Sequence, residues 1–150
     1  MSGPVRVWLP ATVVVLGQWW KDREVPPGTG HAVTRALRQE WPDGDDEQWE
    51  YAVLLAAADD AAAMLSVPGR RVVVVVDAAA VEPGEGSRVR LAEAVPWRRV
   101  AAVHADPAGA EVTPGADAEE SPGLCWYAAQ EVPDILAEGA AESGRPGTPG

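Results

Sequence analysis

The segment Arg71–Asp77, with the sequence RVVVVVD, decides the fold of this chain. Its five consecutive valines do not alternate with polar residues, so both faces of the segment are expected to be buried. Valine is β-branched and packs well on a pleated surface, which favours a strand over a helix. We therefore predict an interior strand that is covered on both faces.

Two helical segments are the natural covers of this strand. The first, Glu47–Leu65, follows Asp45, which has the spacing of a capping box with Gln48. The second is Leu124–Glu131. Apolar residues at helical spacing predict one buried stripe on the first helix, formed by Tyr51, Leu54, Leu55, Ala58, Ala62 and Leu65.

Residues 11–20 admit two interpretations. The three valines that begin at Val13 favour a strand because of their side-chain shape. Thr12, however, has a suitable N-cap side chain, and a helix that begins there places Leu16 and Trp20 on the same face as Val13. We favour the helix.

Three further strands are predicted, at Val5–Leu9, around Val89–Leu91 and at Arg99–Ala105, whereas residues 25–30 are predicted to form a loop. Only the first connection is long enough for a parallel crossover. The element order therefore predicts an α+β fold with one mixed, mostly antiparallel sheet of about four strands and helices packed on it.

The length of 150 residues fits a single globular domain, which we place at residues 1–138. Residues 107–123 within it are rich in Pro, Gly, Ala and acidic residues, which is typical of a long mobile loop. Residues 139–150 are rich in Gly, Pro and Ser, and we expect a disordered tail there.

The net charge of −11 argues against two classes of partner. Nucleic-acid binding needs a basic face that displaces counterions from phosphates, and anionic membrane surfaces attract the same kind of face. We therefore predict no nucleic-acid partner and no membrane association. An acidic surface that docks on a basic partner, in the manner of nucleic acid, is a further interpretation of this charge.

The single cysteine, Cys125, cannot form an intramolecular disulfide, and no cysteine pair is present to hold zinc. The acidic run Asp43–Glu47 has its glycine in the second position, which does not fit a calcium loop. The N-terminus lacks a basic segment followed by an apolar one, so no signal peptide is predicted. We expect a cytoplasmic protein with no metal site and no cofactor.

Five polar residues are candidates for a site, and each has a competing structural role. Asp77 stands at the carboxyl end of the buried strand, where ligand-binding residues are common, but it is also a suitable cap. His31 and His104 are the only histidines. Tyr127 and Glu131 stand four residues apart and would share a helix face. No Gly-x-Ser-x-Gly turn accompanies them, so a hydrolase elbow is absent. Because the sequence shows no catalytic constellation, we lean against an enzyme.

The aromatic residues favour an interaction module instead. The chain has seven tryptophans and no phenylalanine, so tryptophan either fills the core in place of phenylalanine or marks an interface. The candidate interface residues are Trp19, Trp20, Trp41, Trp49 and Trp126. The leading hypothesis is a non-enzymatic module that binds a protein partner or a second copy of itself. The alternative is an enzyme or small-ligand binder with a site near Asp77.

Several segments taken together resemble a known family. They include LPAT at residues 9–12, HAVT at residues 31–34 and WYAAQEVPDIL at residues 126–136, and the similarity spans residues 5–136. The family consists of uncharacterised actinobacterial proteins of about this length, classed as a domain of unknown function. The resemblance implies a bacterial cytoplasmic origin and carries over no activity.

Overall fold

The computed structural model describes residues 3–118 and 123–138. The predicted tail at residues 139–150 lies outside the described residues, as do residues 119–122 of the predicted mobile loop. The single domain at residues 1–138 and the mobility of residues 107–123 stay predictions.

Most of the described strands belong to one sheet. In chain order the strands are β1 (Val5–Thr12), β2 (Glu24–Val25), β3 (Gly28–His31), β4 (Arg71–Ala78), β5 (Glu82–Pro83), β6 (Arg88–Leu91), β7 (Val95–Pro96), β8 (Val100–Ala105) and β9 (Cys125–Tyr127). The main sheet has seven strands in the order β5-β6-β3-β1-β4-β8-β9, while β2 and β7 form a separate pair. Every pairing in both sheets is antiparallel.

The α+β class is confirmed, but the predicted mixed sheet of about four strands is wrong. Several of the missing strands have only two or three residues, which is too short to show an alternating pattern. The loop predicted at residues 25–30 contains most of β3. Gly30 allows this strand to lie close to β1, since a Cβ atom there would stand 2.7 Å from the Trp8 carbonyl oxygen.

Four α-helices within the described residues pack on the main sheet. They are α1 (Val13–Asp22), α2 (Arg35–Glu40), α3 (Asp46–Met64) and α4, which is helical over residues 132–138. The favoured helix after Thr12 is present, and the Thr12 side chain accepts a hydrogen bond from the Val15 amide. The Asp45–Gln48 capping box also forms at the start of α3.

The interior strand β4 is buried on both faces, as its valines predict, and Val72–Val76 are each at most 3% exposed. Val72, Val74 and Val76 face a core that includes residues of α1 and α4. Val73 and Val75 face a second, smaller core beneath α3. The sheet is therefore the middle of three layers, because each face of β4 requires its own cover.

The second predicted cover, a helix at Leu124–Glu131, is wrong. Residues Cys125–Tyr127 form the edge strand β9, and Ala129–Glu131 form a 3-10 helix that leads into α4. The covering side chains from this region are Val132 and Ile135, both 0% exposed. Pro133 fits the first turn of α4, where a backbone N–H would have no intrahelical acceptor.

A buried ion pair joins the start of β4 to the residue that follows β8. Arg71 Nη2 and Nε donate to the two carboxylate oxygens of Asp106 at 2.6 and 2.9 Å, and the Arg71 amide donates to the same carboxylate at 2.7 Å. The two side chains are 1% and 0% exposed. The neighbouring Arg70 donates to the Asp106 carbonyl and, in α4, to the carboxylate of Glu138. These contacts tie the sheet to α4.

We expect Asp106→Asn to lower the free energy of unfolding by about 3–5 kcal/mol, because it replaces the buried carboxylate that binds the Arg71 guanidinium with a neutral amide. Urea denaturation of the purified variant measures the change. The control is Asp77→Asn, which breaks the more exposed Arg6–Asp77 pair and should cost about 0–1 kcal/mol. Equal losses in the two variants would contradict this account of the buried pair.

Candidate functional site

An open groove of about 510 Å³ lies between the N-terminal half of α3 and the sheet. We call it the aromatic groove because three aromatic side chains, those of Trp8, Tyr51 and Trp126, line it. The other lining residues are Arg6, Glu47, Glu50, Leu54, Val75, Ala101, Ala102 and His104. They come from α3 and from the strands β1, β4, β8 and β9.

One face of α3 borders the groove because of helical spacing. Glu47 stands three and four residues before Glu50 and Tyr51, and these stand four and three residues before Leu54, which places all of them on one side of the helix. The residues of α3 that are fully buried against the sheet are Val53, Ala57, Ala58, Ala61 and Ala62. The predicted apolar stripe is thus partly wrong, since Tyr51 lies on the groove side and is 62% exposed.

The floor of the groove is shaped by small side chains and by an irregularity in β8. The pairing of β4 with β8 shifts between Val75 and Val76, where Val75 opposes Ala102 and Val76 opposes Val100. Ala101 is the extra residue, as in a β-bulge, and both Ala101 and Ala102 line the groove. Alanine at both positions leaves space that larger side chains would occupy.

The aromatic residues differ in exposure. Trp8 is buried at 6% exposure, whereas Tyr51 and Trp126 are 62% and 63% exposed. A buried indole on the floor and two exposed rings at the rim together form a site with apolar surface still open to solvent. Such exposed aromatic groups are enriched where proteins bind partners.

Arg6 and Asp77 form a bidentate ion pair at one end of the groove. Arg6 Nε donates to Asp77 Oδ1 at 3.0 Å and Nη2 donates to Oδ2 at 3.2 Å. The two residues are direct partners across β1 and β4. The hydrogen bond to Asp77 raises the pKa of Arg6, against a smaller opposing effect of burial. Asp77 therefore compensates the charge of Arg6 and does not line the groove itself.

His104 contributes a polar group to the groove wall from β8. Burial lowers the pKa of His104 below its ordinary value, so the ring is neutral at pH 7. A neutral imidazole offers one donor and one acceptor to a ligand. On the neighbouring edge strand, Trp126 is the direct partner of His104. The two side chains therefore border the groove together.

His31 lies outside the groove and is buried in a separate cluster. Its Nδ1 stands 2.8 Å from Ser87 Oγ, and its Nε2 stands 2.7 Å from Asp60 Oδ2. His31 is also the direct β-sheet partner of Trp8, so the cluster and the groove flank the same residue. The sequence around His31 does not predict Ser87 or Asp60 as its partners, because both residues are distant from His31 in the chain.

The remaining two polar candidates, Tyr127 and Glu131, do not share a site. Tyr127 Oη lies 3.4 Å from Glu138 Oε1, and its ring packs against the core on the α1 and α4 side. Burial, followed by the negative charge of Glu138, raises the pKa of Tyr127. Glu131 accepts a hydrogen bond from the Ala128 amide and so caps the 3-10 helix. The five predicted site residues therefore do not converge.

Among the five candidate interface tryptophans, only Trp126 lines the groove. Trp19 and Trp20 pack against the core, and Trp20 meets the Trp97 ring edge-to-face at 5.4 Å between centroids. Trp49 Nε1 donates to the carbonyl of Trp41, which stabilises the turn before α3. Sequence reasoning did not single out Trp8 as a site residue, because its strand context indicates only a core position.

Metal ligands are not clustered in the described part of the chain. Within residues 3–118 and 123–138, no group of three or more His, Cys, Asp or Glu side chains has a geometry that could hold a metal ion. In the same residues, no helix combines the length and the apolar character that crossing a membrane requires.

The fold and the groove define a class, a small α+β domain whose antiparallel sheet carries helices on both faces and an open aromatic groove beside one of them. The chain belongs to DUF6912, a family of unknown function whose model matches residues 5–136. No curated protein and no solved structure matches it. The expected membership of a family of unknown function is thus confirmed, and the actinobacterial origin stays a prediction.

The lowered pKa of His104 predicts a pH-dependent stability. Between the folded and the unfolded pKa values, the unfolded state binds more protons, so the free energy of unfolding falls as the pH drops through that interval. Above the pKa of His104 in the unfolded state, the ring is neutral in both states, so its titration no longer changes the free energy of unfolding. We expect His104→Asn to remove this part of the pH dependence, which urea denaturation at a series of pH values measures. The same acid slope in both proteins would contradict the assignment.

Proposed function

We propose that the chain is a small interaction module that seats a basic segment of a partner protein in the aromatic groove. The observation that carries the proposal is the convergence of three aromatic rings and two carboxylates, those of Glu47 and Glu50, on one open groove. Aromatic rings and carboxylates both attract the cationic groups of lysine and arginine.

The charge of the groove favours a cationic occupant. Glu47 and Glu50 contribute negative charge, while the positive charge of Arg6 is compensated by Asp77. His104 adds no charge at pH 7 because its pKa is lowered. The net charge of −11 for the whole chain acts in the same direction and would steer a basic partner towards the domain.

The position of the groove favours a polypeptide segment. It reaches the terminal strand β9, whose outer edge pairs with no described strand. A segment that adds to such an edge gains backbone hydrogen bonds, and alternate side chains enter pockets on one face. A lysine or arginine on the face beneath α3 would then reach the space between Trp126 and Tyr51.

A second candidate function is the binding of a small organic cation in the same groove. The volume of about 510 Å³ supports it, since small-molecule sites commonly enclose about 300–1,000 Å³. In that case the site lies beside the Arg6–Asp77 pair, near the carboxyl end of β4. The exposure of the two rim aromatics supports the protein partner more strongly, because a small-ligand site usually buries most of its lining.

We also propose a cytoplasmic location and a bacterial origin. The single cysteine supports the first, because a protein of a reducing compartment has no need of disulfides. The net charge of −11 supports a partner other than nucleic acid.

Fluorescence anisotropy of labelled peptides tests the proposed interaction. A peptide that alternates lysine with small residues should bind, whereas its glutamate counterpart should not. Trp126→Ala and Tyr51→Ala should each weaken binding by about tenfold or more, as expected when an aromatic anchor is removed. Glu50→Gln should weaken binding and reduce its dependence on salt, because one charge of the groove is lost.

The matched control is Val14→Ala, which truncates a side chain on α1 that is 83% exposed and lies outside the groove. Its binding should equal that of the unmodified protein. If free arginine competes as well as the lysine peptide does, the small-cation function replaces the peptide one. If sedimentation shows a dimer that Trp126→Ala dissociates, the occupant is a second copy. Equal binding of the basic and acidic peptides would overturn the proposal.

A further inference from the structure

Ser87, His31 and Asp60 form a hydrogen-bonded relay that lies outside the aromatic groove. Ser87 precedes β6, His31 ends β3 and Asp60 lies on α3, so three separate elements bring the side chains together. The two contacts of the imidazole, 2.8 Å to Ser87 Oγ and 2.7 Å to Asp60 Oδ2, are both within hydrogen-bond range. His31 is 4% exposed, which holds its ring in a defined orientation.

Hydrogen-bond matching assigns the proton positions in the relay. The Asp60 carboxylate only accepts, so His31 Nε2 carries a hydrogen and donates to it. In the neutral ring Nδ1 is then the acceptor, and the Ser87 hydroxyl donates to it. This is the arrangement in which a hydroxyl nucleophile is joined to a base and the base is oriented by a third group.

We propose that Ser87 is a nucleophile for acyl transfer, with His31 as its general base and Asp60 as the positioning residue. A triad of this kind is identified by geometry and roles, not by sequence order, so the missing Gly-x-Ser-x-Gly turn does not argue against it. In serine proteases Nε2 of the histidine contacts the serine and Nδ1 contacts the aspartate, whereas in this protein Nδ1 contacts Ser87 and Nε2 contacts Asp60. One ring nitrogen still accepts the serine proton, and the other still donates to the carboxylate.

The reaction balances with water as the only co-reactant. Ser87 Oγ attacks the carbonyl carbon of an ester, its proton moves to His31 Nδ1, and the Asp60 carboxylate stabilises the imidazolium. The bond from the carbonyl carbon to the leaving oxygen then breaks, and the departing alcohol takes the proton from Nδ1. In the second half, water attacks the acyl-serine in the same way, releases the acid and returns the proton to Ser87.

The surroundings of Ser87 indicate the class of acyl group. Gly86, directly before Ser87, has a φ of 56°, and a Cβ atom there would meet nothing closer than the Glu40 carboxylate oxygens at 3.9 Å. Ser87 itself is half-buried, so part of its surface faces solvent. Because the hydroxyl is half-buried, the expected substrates carry a small acyl group.

A fluorophosphonate probe tests the nucleophile directly, because it phosphonylates an activated serine and remains attached. We expect intact-mass spectrometry to show one adduct and peptide mapping to place it on Ser87. Ser87→Ala should abolish the adduct, while Ser66→Ala, which alters an exposed serine outside the relay, should leave it unchanged. Circular dichroism of each variant establishes that it is folded.

Asp60 is tested by kinetics with p-nitrophenyl acetate. Asp60→Asn should lower kcat by about tenfold or more with little change in KM, and Asp60→Glu should restore part of the loss. A merely structural contact would not separate kcat from KM in this way. The proposal is overturned by a folded protein that gains no adduct, by an adduct on a serine other than Ser87, or by full labelling of Asp60→Asn.

Discussion

The burial of both faces of β4 is the constraint on which the rest of the structure depends. A run of valines with no polar face can be shielded from water only by one layer of helices on each side. The chain meets this requirement with α1 and α4 on one face and α3 on the other. The buried Arg71–Asp106 pair then holds the beginning of β4 against the end of β8, where an unpaired charge would be costly.

The same constraint explains where the groove and the relay lie. Helix α3 covers the sheet with alanines over its second half, so that part packs closely, whereas its first half carries glutamates and Tyr51 and stands beside small residues of β8. The groove opens there. Further along, Asp60 reaches His31, so one helix supplies a wall of the groove and the carboxylate of the relay. Trp8 contributes to the groove floor and is the strand partner of His31, which makes it the shared neighbour of both sites.

Local patterns predicted several elements correctly for identifiable reasons. The valine run, the Thr12 cap and the Asp45–Gln48 capping box depend on neighbours within one turn or one strand. The strand count failed because β3 contains two glycines and β9 was assigned to a helix, and neither shows an alternating pattern in the chain. The predicted site residues are separated for a similar reason. Asp77, His104 and Trp126 lie near or in the groove, while His31, Tyr127 and Glu131 have partners elsewhere.

The sequence by itself determined that the chain has an α+β core around a two-faced strand, an acidic surface and a surplus of tryptophan. Those properties follow from composition and from contacts between residues close together in the chain. Only the tertiary structure decided that Ser87 contacts His31, that His31 contacts Asp60, and that Tyr51, Trp8 and Trp126 line the same groove. The physical reason is that these contacts depend on strand order, register and helix rotation. These features arise from long-range packing and do not produce a periodic pattern in the local sequence.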